Sequence, residues 1–166
     1  MAPTSEVDAD ARALASVLRI RILRLCLDEA MTNKEIATRL GKDPATTYHH
    51  VRTLAERGFL AAQPERRGTR GSREVPYLAT GKSWRTDVGP VGNRILIETF
   101  LEEVSEAAPE SVQTARLGVR LTADGFRELQ RRLDEVLQEY ADRAPDPAGQ
   151  PYSIFLAVHE DTARRP

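Results

Sequence analysis

The 166-residue sequence holds one cysteine, three lysines, three histidines and no long apolar run. Each scarcity excludes something. A lone Cys26 closes no internal disulfide, and its neighbours Ile22, Leu23, Leu25 and Leu27 mark it as a small buried hydrophobe in a reducing compartment. No uncharged stretch approaches the roughly 20 apolar residues that a membrane span needs. Met1 to Asp10 carries acids, where a secretory leader has a basic stretch and an apolar core. The chain therefore reads as cytoplasmic, with no membrane partner. One cysteine and three histidines, His49 and His50 adjacent and His159 remote, supply no dedicated nitrogen–sulfur site, so no metal and no other cofactor is expected. The signatures of catalysis are missing too: no phosphate-cradling glycine loop, no serine elbow, no His-Glu-x-x-His. The chain reads as a non-enzyme.

Charge is present, and it is unevenly placed. The formal net charge is -1, yet residues 1–85 carry 15 Lys and Arg against 10 Asp and Glu, whereas residues 86–166 carry 9 against 15. The first half is thus suited to an anionic partner. Arginine outnumbers lysine 21 to 3, a bias that suits a GC-rich genome.

Residues 1–7 read as a disordered lead-in. Leu14, Val17, Leu18, Ile20, Ile22, Leu23 and Leu25 predict one or two helices between Asp8 and Asp28, with Ser16 as the N-cap that would divide them. Thr32-Asn33-Lys34-Glu35 has the capping-box form, Ile36, Ala37 and Leu40 supply an inner face, and Gly41 stands where a helix ends. Asp43-Pro44 restarts a helix at once. Thr47, Val51 and Leu54 form its inward stripe and Gly58 closes it. Two short helices, 33–40 and 44–57, joined through a turn with a glycine, are the arrangement of a DNA-binding helix-turn-helix. Strand candidates Phe59–Ala62 and Val75–Leu78 then flank Glu65–Glu74, whose glycines and Arg66, Arg67, Arg70 and Arg73 predict a basic hairpin, or wing; Pro76 favours an edge or bulge.

If Thr47, Val51 and Leu54 face inward, the second helix offers Ala45, Thr46, Tyr48, His49 and Arg52 to a major groove, with His50 beside them. Lys34 and Lys42 sit where phosphates would pass. The amides after Thr32 and Asp43 are candidates to receive a phosphate oxygen, and the wing arginines to track the backbone or enter a minor groove. Each feature alone has a plain reading as solvated surface, or for His50 as a packing and hydrogen-bonding residue. Their order (capped helix, short turn, capped helix, basic hairpin) favours double-stranded DNA as the partner.

Residues 81–92 read as a linker, with Trp84 packing the wing onto the core or the next helix. Asn93–Ala107 is predicted helical, with Ile97, Phe100, Leu101 and Val104 as a dimer seam. Its acids Glu98, Glu102, Glu103 and Glu106 have no histidine among them to build a metal site. Residues 116–121 alternate as a strand. Thr122 caps an amphipathic helix with Phe126, Leu129, Leu133, Val136, Leu137 and Tyr140 on one face, and residues 152–158 form a second predicted strand. The expected fold is mainly α with small β: a winged helix-turn-helix over 8–80, the 81–92 linker, and a dimerisation and effector region over 93–158 made of a dimer helix and a strand-helix-strand extension.

Over residues 13–80 the chain resembles the ArsR-type winged-helix repressors of bacteria. The resemblance lies in Ala13–Leu23, Glu35–Gly41, Thr46–Leu54 and Gly58-Phe59-Leu60. It implies a homodimer that represses by reading a (pseudo)palindromic operator, with Thr46, Tyr48, His49 and His50 on or beside the reading helix. Tyr48 departs from the family, which usually has serine there. The acidic second half is longer than the usual tail of that family. Two other readings stay open: a protein-interaction adaptor on a winged-helix scaffold, and a regulator gated by a small-molecule effector in a pocket of the second half.

Overall fold

A computed structural model describes residues 5–68 and 71–164. The chain divides into two units, the first ending at Ala107 and the second starting at Ala108. Helix α1 (Glu6–Leu14) begins where Ser5 accepts from the Asp8 amide, so Glu6 and Val7 are helical rather than part of a lead-in. Ser16 does divide the apolar stretch: its hydroxyl accepts from the Arg19 amide and starts α2 (Val17–Leu25). The capping box forms at α3 (Asn33–Leu40), where Thr32 accepts from the Glu35 amide (3.3 Å) and Glu35 accepts from the Thr32 amide (2.8 Å). Gly41 ends α3 at φ 61°, a left-handed conformation that costs other residues a Cβ clash. Asp43 then caps α4 (Pro44–Glu56), with Pro44 opening the helix.

The expected strands appear as β2 (Leu60–Ala62) and β5 (Pro76–Ala79), and they pair antiparallel with Leu60 opposite Ala79. A two-residue strand, β1 (Met31–Thr32), adds to the other edge of β5, which makes β5 the central strand. Pro76 is tolerated there because it opens the strand, where its missing donor matters least. The wing is a separate ladder of β3 (Arg66–Arg67) with β4 (Arg73–Glu74), Arg66 opposite Glu74. Leu14, Ile22, Cys26, Ile36, Val51, Leu54 and Phe59, almost fully buried, form the core that fixes α3 and α4 against α2 and the sheet.

The linker reading of residues 81–92 needs correction. Lys82–Arg85 is a 3-10 turn, and α5 (Gly89–Glu106) begins four residues before the expected start. Pro90 is compatible with the first turn of a helix, and Gly92 is buried, where a Cβ would meet Val88. Trp84 lies on the 3-10 turn and is half exposed.

In the second unit the amphipathic helix forms as α6 (Ala123–Ala141), capped by Thr122 through the Gly125 amide. The two strands expected at 116–121 and 152–158 do not form: residues 112–121 and 151–161 contain no helix or strand. Their alternation persists as exposed Leu117, Val119 and Leu121 and exposed Tyr152, Ile154, Leu156 and Val158. Alternation selects a face, but a strand also needs a ladder partner for its amides and carbonyls. None of the described residues of this unit is buried.

Candidate nucleic-acid interface

α3 and α4 meet across the Gly41–Asp43 turn, and several bonds hold their angle. The Lys42 amide donates to Ala37 O (2.9 Å), and Asn33 Nδ2 donates to Pro44 O (2.9 Å), which ties the first turn of α3 to the first residue of α4. Thr47, wholly buried, turns its hydroxyl back to Asp43 O (3.0 Å). With Val51 and Leu54 buried behind it, the opposite face of α4 is fixed. Ala45, Thr46, Tyr48, His49 and Arg52 are all exposed on it, as the spacing predicted. The rings of Tyr48 and His49 stand edge to face at 6.0 Å. Lys34 and Lys42 are exposed as well, in α3 and in the turn.

His50 is different. It is half-buried on the side of α4 that meets α2, where Arg19 Nη1 comes within 3.5 Å of its Nδ1. Burial, reinforced by the positive charge of Arg19 and by His49, lowers its pKa below the ordinary histidine value, so the ring is neutral and accepts. Arg19 also donates to Arg12 O (2.9 Å) and to Ala13 O, so one guanidinium covers the end of α1 and supports α4.

Three of the arginines expected to meet DNA are paired with acids. Arg52 Nε donates to Glu56 (2.6 Å), Arg66 Nη2 donates to both oxygens of Glu35 (2.5 Å each), and Arg73 Nη1 lies 3.5 Å from Glu65. Arg67 is exposed in β3, and Arg70 lies outside the described residues. Two of the candidate phosphate amides are also occupied: Asp43 Oδ1 accepts from Ala45 (2.8 Å) and Thr46 (3.1 Å). The Glu35 amide is taken by Thr32, because the same caps that start the helices satisfy their first donors.

An acid that the sequence pattern did not single out seats α4. Asp10, buried on α1, accepts from Arg57 Nη2 (2.5 Å) just past α4 and pairs with Lys82 Nζ (2.6 Å) on the 3-10 turn. Lys82 also donates to Arg57 O and lies 4.8 Å from the centre of the Phe59 ring. Partners separated by 47 and 72 positions leave no local signal. The only hint was an acid on the edge of an otherwise apolar helical face.

Residues 26–64 match the family model of the IclR helix-turn-helix domain. That span runs from the end of α2 through α3 and α4 to just past β2. No curated protein matches the chain. Among solved structures it is similar to reduced HlyU from Vibrio cholerae, at 19% identity over 59% of this chain and 90% of that one, TM-score 0.39. It is also similar to the homodimeric winged helix-turn-helix DNA-binding domain of Mb0332 from Mycobacterium bovis, a possible ArsR-family regulator, at 22% identity over 72% and 100%, TM-score 0.40. NolR from Sinorhizobium fredii gives 21% identity over 65% and 100%, TM-score 0.39. The family match covers α3, α4 and the turn between them, and ends before the hairpin of β3 and β4.

Proposed function

We propose that the chain is a homodimeric, sequence-specific double-stranded DNA-binding regulator, a repressor whose signal is not a metal. One observation carries this reading: a helix whose buried stripe (Thr47, Val51, Leu54) forces five polar or small residues outward, preceded by a capped helix and followed by an arginine hairpin. Those outward groups match what base edges in a major groove offer. The charge balance of residues 1–85 supports an anionic partner. Arg52 and Arg66 would exchange Glu56 and Glu35 for DNA, so the carboxylates act as placeholders that hold each guanidinium in position. Against a metal signal stands Cys26. It is wholly buried, and its thiol is pushed up to about 11 by that burial, far from the thiolate a metal would need.

The deciding experiment is selection of bound genomic DNA by the purified full-length protein, followed by a salt titration on the winning duplex. The reading expects one enriched motif with two-fold symmetry and binding that falls steeply with salt. Arg52→Ala should relax the motif at one position per half-site, whereas Arg67→Ala should weaken every duplex alike and reduce the salt slope by about 1 per subunit. Enrichment of no motif, with equal effects of the two substitutions, would remove the assignment of α4 as the reading helix.

A further inference from the structure

The second unit leaves the apolar face of α6 open. Phe126, Leu129, Leu133, Val136 and Tyr140 recur at alternating spacings of three and four, which are the a and d positions of a coiled-coil seam. Phe126, Val136 and Tyr140 are 37%, 55% and 57% exposed. The charges pair along the helix itself: Arg131 with Glu128 and Glu135, Arg127 with Asp124, Arg132 with Glu128 (2.7 Å), and Arg143 with Glu139, so a second copy would compete with Glu128 for Arg132 and with Arg143 for Glu139. What flanks the seam then decides what can cover it. On one flank stand Arg132 and Glu139, seven residues apart and opposite in charge; on the other stand Gln130 and Leu137, both uncharged.

We propose that α6 packs antiparallel against α6 of a second copy of this chain. In the register that sets Leu133 against Val136 and Leu129 against Tyr140, the two-fold brings Arg132 of each copy to Glu139 of the other. A parallel pair would place Arg132 beside Leu137, and Glu139 beyond it beside Ala144, with no charge complement; flanking charges set helix orientation in this way. The face is thus self-complementary under a two-fold, the property an isologous interface requires. This inference rests on the homodimer reading above and names where the second unit takes part in it.

The test uses full-length protein. Leu129→Cys and Tyr140→Cys are prepared separately, mixed and mildly oxidised, with the wild type reporting any reaction of Cys26. The mixed disulfide should outpace either homodisulfide about tenfold, given the proximity that cross-linking needs. In a second arm Arg132→Glu and Glu139→Arg should each weaken self-association about tenfold, and an equimolar mixture of the two should restore it, because every cross-pair is again opposite in charge. That rescue cannot come from within the helix, where the acid introduced by Arg132→Glu would still face Glu128 and the base introduced by Glu139→Arg would still face Arg143. Fast homodisulfides of Leu129→Cys alone would show a parallel pair and overturn the proposal. So would a protein that sediments as a dimer yet gives neither the cross-link nor the rescue. A wild type that sediments as a monomer at micromolar concentration would instead remove the homodimer reading itself.

Discussion

At the residue scale the consequential group is Asp10. Burial alone would raise its pKa, but hydrogen bonds from Lys82 and Arg57, with their charges, outweigh burial and hold the carboxyl below its ordinary value. Its folded pKa therefore lies below its unfolded one. The stabilisation is complete above the ordinary value of 3.8 and is lost as pH falls through the lower, folded value. Asp10→Asn should cost about 2 kcal/mol at neutral pH in urea titrations, since it leaves Arg57 and Lys82 without their acid at a partly buried junction. The same substitution should make the loss of stability below pH 4 less steep. His50 acts with the same sign in a higher pH window. Its folded pKa is lowered, so below about pH 6.5 the unfolded chain binds a proton that the folded chain resists, and stability falls with pH. His50→Gln should flatten that slope below about pH 6.5, measured by chemical denaturation at several pH values.

At the element scale the turn between α3 and α4 depends on a few groups. Asp43→Ala would strip the cap from Ala45 and Thr46 and should cost about 1 kcal/mol, read from thermal unfolding. Gly41→Ala should cost about as much through its backbone alone, because open space surrounds the position where a Cβ would stand. These elements were legible because their signals are local: a cap, a proline, a glycine and an apolar stripe all lie within a dozen residues. The same locality explains the failures. Residues 116–121 and 152–158 have the alternation of strands, but pairing is settled by what lies alongside, and their own unit supplies no ladder. β1 went unseen because two residues, Met31 and Thr32, are too short for any period. Within the interface, the spacing found the exposed face of α4. It placed His50 beside that face; the Arg19 contact fits its other reading, as a residue that packs and hydrogen-bonds.

At the scale of the whole molecule the open question is what covers α5. Arg21 binds Glu106 (2.9 Å) and Glu102 (3.7 Å), and Arg24 binds Glu103 (2.8 Å), so three ion pairs on α2 fix the rotation of α5. Gly92 and Thr99 are thereby buried, and Ile95 and Leu96 pack on the core. The same rotation leaves Ile97 and Leu101 exposed, 43% and 57%, with Phe100 and Val104 half-buried beside them. This is the stripe the sequence singled out as a dimer seam, and a glutamate there would meet its own copy across a two-fold. If the seam joins two reading helices, each half-site contact reinforces the other through a high effective concentration. Leu101→Glu should then weaken self-association in sedimentation, leaving only the contact through α6, and lower the affinity for a two-half-site duplex about a hundredfold, with little change for a single half-site. Its melting temperature should also rise less with protein concentration than that of the wild type, in which folding and association are linked through both seams. A variant that stays dimeric and binds the full site normally would mean that the exposed stripe of α5 is covered by something other than a second copy.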